Sequence, residues 1–166
     1  MTVLRLYILA ILLVACGPGV NAQVVVPRPG EVASLKQSVF GLGLFGGPAS
    51  GIGLSFRHHL PVPASYQITG GIIKIDEKLS YSIGGEVQYD LIAAHAFRFF
   101  AAAGVGYYYS GKDRNEMEAP ARAGLGIGGE VEAYSGIHFL GEALFTYFSD
   151  GTILPLPQVG FYYYFY

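Results

Sequence analysis

Eight charged residues in this chain share a position: each falls among glycines and small polar residues on one parity of an alternating segment. They are Arg57, Glu86, Asp90, Arg98, Arg122, Glu130, Glu132 and Glu142. Guanidinium and carboxylate groups gathered on one face of a sheet can form a network of buried ion pairs, in which Coulomb attraction roughly offsets the loss of hydration. The same groups in a row could pass an ion or a proton. Five carboxylates stand against three arginines in this set, so charge balance does not require every acid to be ionised. Hairpin geometry sets expected neighbours. Arg98 should face Gln88 or Asp90 on the preceding strand and lie near Glu132 on the following one, and Glu130 should lie near Glu142.

The histidines His58, His59, His95 and His138 all fall near strand ends, where they read as rim or turn residues. No metal spacing such as H-E-x-x-H is present, so neither a metal nor another cofactor is expected. His138 and Glu142 share a strand, but no serine occupies a position that would complete a nucleophilic triad. Gly41-x-Gly43 and Gly124-x-Gly126-x-Gly128 sit inside alternating strands and open no helix. They read as packing glycines rather than phosphate loops.

The elements that must position these residues are strands. In the stretch 121–148, Ala123, Leu125, Ile127 and Val131 fall on one face, with Arg122, Gly124, Gly126, Gly128, Glu130 and Glu132 on the other. After a turn at 134–136, Phe139, Ala143, Phe145 and Tyr147 oppose His138, Glu142 and Thr146. Strict period-two alternation argues for a hairpin. The same alternation predicts strands over 38–46, 50–59, 65–75, 80–91, 97–109 and 158–166, eight in all. Ile73 and Ile75 break the parity of the third strand and predict a bulge there. Long polar connections fall at 110–120 and 149–157. The segments SIGGEVQY at 82–89 and GIGGEVEAY at 126–134 are similar, as an ancient repeat or two strands solving one packing problem would be, the second being the preferred reading.

Composition decides where such a sheet can live. Hydrophobic residues make up 52% of the 166 residues and charged ones only 13%. Past residue 22 the chain has no run of about 18 apolar residues, so a helical membrane span is not expected. A net charge of −2 gives no basic footprint for nucleic acid. Residues 1–22 read as a secretory signal, with Arg5 as the positive flank, a short apolar core, a Gly17-Pro18-Gly19 breaker and Val20-Asn21-Ala22 before the cut at Gln23. Leu13-Val14-Ala15-Cys16 offers a competing lipoprotein site. Residues 23–37 are a polar, proline-bearing lead-in, and 38–166 form the barrel domain. In a soluble eight-stranded barrel the lumen is greasy and the outside wet. Here the charged face is too sparse in bulk, and the aromatic face too large, for that arrangement. The inverse sorting suits a barrel with lipid outside and a polar lumen.

The whole pattern resembles the small outer-membrane barrels of the OmpA/OmpX type. The likeness rests on eight strands, dyad alternation, a cleavable signal and the aromatic finish Phe161-Tyr162-Tyr163-Tyr164-Phe165-Tyr166. It implies an all-β, eight-stranded antiparallel up-and-down transmembrane barrel in the outer membrane of a Gram-negative-type bacterium. It also implies a periplasmic N-terminus, outer-membrane lipid as surroundings, and a last strand read by the barrel-assembly machinery. Gln158 and Gly160 put Val159, Phe161, Tyr163 and Phe165 outward, whereas the family's habit would put Tyr166 outward. The function implied is non-enzymatic, structural or surface-interacting, with no extracellular partner specified. A lipid-modifying enzyme and a soluble ligand-binding barrel are the alternatives.

Overall fold

The computed structural model describes residues 38–94, 96–134 and 136–165. The expected signal, the lead-in, Cys16, His95 and Tyr166 lie outside them. Eight strands follow in chain order: β1 Val39–Gly47, β2 Gly51–His59, β3 Ala64–Ile75, β4 Lys78–Ala93, β5 Phe97–Gly111, β6 Ala121–Tyr134, β7 Ile137–Phe148 and β8 Ile153–Phe165. Each pairs antiparallel with the next, and β8 pairs with β1, closing the barrel. A walk along paired residues from Phe40 passes His58, Tyr66, Val87, Ala103, Leu125 and Phe145 and arrives at Pro155. Phe40's own neighbour on β8 is Phe165. The sheet therefore closes with a stagger of ten residues, and stagger of this kind is what tilts strands against a barrel axis.

Alternation sorts the side chains as the sequence predicts. Leu44, Leu54, Ile83, Val105, Leu125, Phe145 and Val159 face out and are exposed, while Arg57, Gln67, Thr69, Glu86, Glu130 and Gln158 face in and are buried. On β8 the outward set is Val159, Phe161, Tyr163 and Phe165, with Tyr162 and Tyr164 buried inside.

Two features differ from the sequence reading. The third strand has no bulge: its ladder with β4 runs unbroken to Ile75↔Lys78. Ile73 and Ile75 simply face inward where the barrel interior is open. Register shifts occur instead in β4 between Asp90 and Ile92, and in β6 between Glu132 and Tyr134. The last strand begins at Ile153, so most of the segment read as the loop 149–157 is strand. Its prolines hid this, because proline cannot serve a central ladder. Phe148 N donates to Thr152 O, which makes Thr146–Leu154 and Leu144–Leu156 the bond-exchanging pairs of β7 and β8. Pro155 and Pro157 thus turn their nitrogens away from β7, where no donor is missed.

The ends of β2, β4 and β6 and the starts of β3, β5 and β7 share one end of the barrel with both strand termini, Val39 and Phe165. The turns after β1 and β3 and the segments 112–120 and 149–152 share the other. At that loop end Lys78 donates to Glu116 Oε2 at 2.8 Å. The lysine ammonium holds the exposed Glu116 carboxyl below its usual range.

Candidate functional site

The buried side chains assemble into layers across the lumen. Nearest the end that holds Val39 and Phe165, Arg98 on β5 faces Glu130 on β6 in register. Its Nε and Nη2 donate to Glu130 Oε2 at 3.0 and 2.6 Å, and Nη1 donates to Asp90 Oδ1 at 2.7 Å. Nη2 also donates to Gln88 Oε1 at 2.6 Å. Arg57, fully buried on β2, reaches across the lumen and donates from Nη1 to the same Glu130 Oε2 at 2.7 Å. Its Nη2 donates to Gln67 Oε1, an oxygen that also accepts from Tyr162 OH at 2.9 Å. Each guanidinium lies over an aromatic ring, Arg57 on Tyr162 and Arg98 on Phe100 at 4.1 and 4.5 Å. Charge-assisted bonds to a shared carboxylate are the strong kind. Two arginines and two carboxylates balance within this layer. His138 Nδ1 lies 3.0 Å from Glu130 Oε1, and His59 Nε2 lies 2.8 Å from Tyr164 OH. His58 stacks on Phe40 and bonds Tyr66 OH.

Three expectations about this network are corrected. Glu132 does not meet Arg98. The register shift after it places its Oε1 to accept from Gly136 N at 3.2 Å, in the β6–β7 turn. Glu130 does not lie beside Glu142: Glu130 opposes Leu140 while Glu142 opposes Gly128, and both arginines draw Glu130 to themselves. Arg122 joins neither group of carboxylates. It lies between Tyr108 and Phe148, 4.1 and 4.9 Å from the ring centres, and its Nη1 donates to Pro48 O at 3.1 Å.

The second layer holds Glu86 and Glu142 with neutral donors only. Gln158 Nε2 donates to Glu142 Oε1 at 2.9 Å and to Glu86 Oε2 at 3.5 Å. Glu86 also accepts from Ser50 Oγ at 2.8 Å and from Gln88 Nε2 at 2.7 Å. Ser50 thus bonds a carboxylate directly, with no histidine between them among the described residues.

The third layer is backbone. The β1–β2 turn, 47–50, does not project from the barrel as a short loop; it folds into the lumen. Ala49 and Ser50 are fully buried, and their amides donate to Gln158 Oε1 at 3.0 and 3.4 Å. Tyr108 OH donates to Gly47 O and accepts from Gly51 N. Ser82 Oγ accepts from Ile52 N at 3.0 Å and donates to Ile52 O at 2.9 Å, taking the place of a ladder partner. Every buried polar backbone group needs such a partner. The glycines of the lumen face make room for this plug. A Cβ on Gly84 would stand 2.4 Å from the carbonyl of Ser50, and one on Gly106 would stand 2.6 Å from Ala49 O. Gly51 enters the lumen with a φ of +107°, which favours glycine. The paired segments 82–89 and 126–134 use their glycines alike: Gly84 floors Ser50, and Gly128 leaves space for Phe100 and Glu142.

Adjacent glycines on opposite faces offer a test of the plug. Gly84→Ala should destabilise the barrel by about 1–3 kcal/mol, the usual cost of overpacking. Gly85→Ala should stay within about 0.5 kcal/mol, because its nearest atom would be Gln67 O at 3.5 Å. Denaturant titration of both variants in detergent measures the difference.

Of the residues named from sequence, Arg57, Asp90, Arg98 and Glu130 come together; Glu86 and Glu142 form a neighbouring pair; Arg122 and Glu132 stand apart. Sequence reasoning named both Gln88 and Asp90 as neighbours of Arg98, and Arg98 bonds both; it missed Gln67, Gln158, Ser50, Tyr108 and Tyr162 as partners. Gln67 and Gln158 lie on the charged parity, and that was the available signal. No protein-family model matches the chain, and neither the curated proteins nor the solved structures contain a match. The class established is a closed eight-stranded antiparallel β-barrel with a polar, plugged lumen.

Proposed function

We propose that this barrel spans an outer membrane as a non-enzymatic, structural or surface-interacting protein. The observation that supports it is the sorting of its faces. Leu125, at 67% exposure, and Leu44, at 62%, belong to an outward belt of aliphatic and aromatic residues around the whole wall, while Arg57 is sealed inside at 0%. In water such a belt would be a large apolar patch of the kind soluble monomers avoid. In a bilayer it is the required surface, and closure leaves few unpaired backbone groups in lipid. Tyr81, Tyr107, Tyr109 and Tyr147 toward the loop end, and Tyr89, Phe97, Phe139, Tyr163 and Phe165 toward the other, match the aromatic girdles of such barrels. The chain termini would then lie on the periplasmic side, the segments 112–120 and 149–152 outside, and β8 would carry the signal for the barrel-assembly machinery. The interior plug and ion pairs favour a scaffold or surface role over a water-filled pore.

Fractionation of the native host, with boiled and unboiled samples of each fraction on one gel, tests this reading. The expected result is a membrane-bound protein whose unboiled band migrates apart from the boiled one. A periplasmic or cytosolic protein with no shift would overturn it.

A further inference from the structure

The inward fold of the β1–β2 turn leaves a gap in the barrel wall. β1 and β2 have nine residues each, against 12 and 13 in β3 and β8. The β2–β3 ladder ends at Leu54↔Gly70, so the five residues Gly71–Ile75 pair with β4 alone. The β8–β1 ladder ends at Gly46↔Val159, so the six residues Ile153–Gln158 pair with β7 alone. Two free edges about 15–20 Å long thus face each other across a lateral notch at the loop end, above the buried turn.

The chemistry of the notch differs from that of the rest of the interior. Inward positions toward the open ends of its two edges are apolar, with Ile73, Ile75 and Leu154, all exposed, and Leu156, while the buried Gln158 lies at the base. Inward positions on the opposite wall at this end include Ser80, Ser82, Ser110 and Thr146, together with Tyr108, Arg122 and Phe148. At the base of the notch an apolar recess of about 520 Å³ is lined by Leu44, Gly46, Ile52, Gly53 and Val159, among others. Lys74 sits on the β3 edge. It is the only Lys, Arg, Asp or Glu on the outward parity of the wall among the described residues, and it has no ion-pair partner there.

A strand from a second copy is a poor occupant. Pro155 and Pro157 turn their nitrogens, which carry no hydrogen, toward this edge, so β8 cannot offer those donors to an added strand. On the β3 side, the Pro63–Asp90 bond fixes the ladder phase, and the amides of Ile72 and Lys74 turn toward the notch. Edges greasy on both faces, amide donors on one side and a lysine without an ion pair on the outward face of the β3 edge suit an amphiphile with an acyl chain and an anionic head.

We propose that the notch admits the acyl chain of an anionic membrane phospholipid into the top of the barrel, with the headgroup phosphate held by Lys74. This rests on the bilayer reading above. Lipid seated there would continue the apolar belt across the gap and cover the turn that plugs the lumen.

The test uses the full chain in phosphatidylcholine nanodiscs on a Cys16→Ser background, each variant first checked for the heat-dependent gel shift. A bimane fluorophore is attached at Leu156→Cys in the notch, at Leu125→Cys on the outward belt, or at Ser110→Cys on the far inner wall. A minority of the lipid is then replaced by phosphatidylglycerol brominated in its acyl chains, which quenches on contact. Leu156→Cys should be quenched to an extent comparable with Leu125→Cys, and Ser110→Cys should not be. Brominated phosphatidylglycerol should quench Leu156→Cys about fivefold more effectively than brominated phosphatidylcholine, the ratio that about 1 kcal/mol per lysine near anionic lipid gives. Lys74→Gln should abolish that preference and leave Leu125→Cys unchanged. Quenching at Leu125→Cys without quenching at Leu156→Cys overturns the notch proposal while the bilayer reading stands. Equal quenching of Leu156→Cys by the two lipids overturns the anionic preference. Disulfide-linked dimers of the unlabelled Leu156→Cys variant, with no quenching of the labelled one, give the notch to a second copy and likewise overturn the proposal. Quenching at no position overturns the bilayer reading itself.

Discussion

Arg98→Ala should destabilise the folded barrel by about 3–5 kcal/mol, because removing one partner strands buried charge. Among the described residues Arg98 is the one arginine bonded to Asp90 and one of two bonded to Glu130. With it gone, Asp90 has no guanidinium there, and Glu130 keeps Arg57 and His138. The substitution also empties the ring face of Phe100. Glu130→Gln alone should be costly too, since it leaves two arginines facing a neutral amide. The double variant Arg98→Ala, Glu130→Gln removes one charge of each sign. It should fall short of the additive cost by about 0.5–3 kcal/mol, the range found for residues in one network. The pair Arg98→Ala with Glu132→Gln should be additive within about 0.5 kcal/mol, because Glu132 bonds the Gly136 amide and not the arginine. Denaturant titrations in one detergent, run for both cycles, measure these couplings. Additivity in the Arg98–Glu130 cycle would contradict the lumen network described here.

The difference between Glu130 and Glu132 shows how far parity can be trusted. Alternation assigned both acids to the inner face, and both do leave the strand on that side. Alternation does not report a register shift, and the one after Glu132 directs its carboxylate into a turn. Nor does it report contacts across the lumen. Arg57 on β2 meets Glu130 on β6, a pairing set by barrel diameter and stagger, neither of which is written in any local pattern. The number of strands and the direction of their faces were legible because period-two sorting is strong in every segment. The glycines were correctly read as packing residues, but what they pack against was hidden. No sequence signal marks Gly47-Pro48-Ala49-Ser50 as a turn that folds inward. It reads as an ordinary surface turn, because the partners that hold it, Tyr108, Ser82 and Gln158, lie on three other strands. The prolines of β8 misled for a related reason: they forbid a central strand, and only the short β1 reveals that this stretch is an edge.

Ile127→Arg should weaken folding into a bilayer by about 2–4 kcal/mol, the depth-dependent cost of arginine on the lipid face near the midplane. Ile127 stands at the middle of β6, outward and 52% exposed, between Ala101 and Ala143 on the neighbouring strands. Among the described residues no acidic residue shares that face of the wall to pair with the new charge. A control at the adjacent Gly126 is unsuitable, since a Cβ there would stand 2.0 Å from the carbonyl oxygen of Ala143. Thr152→Arg, in the exposed β7–β8 turn, introduces the same charge outside the belt and should change stability by less than about 0.5 kcal/mol.

The claim that the apolar belt faces lipid is tested most directly by comparing these two arginine variants with the parent chain in reversible denaturant titrations into phosphatidylcholine vesicles. The prediction is a loss of about 2–4 kcal/mol for Ile127→Arg and almost none for Thr152→Arg. Equal, small effects at both positions would mean that Ile127 is in contact with water when the protein is folded, and would contradict the bilayer-spanning barrel.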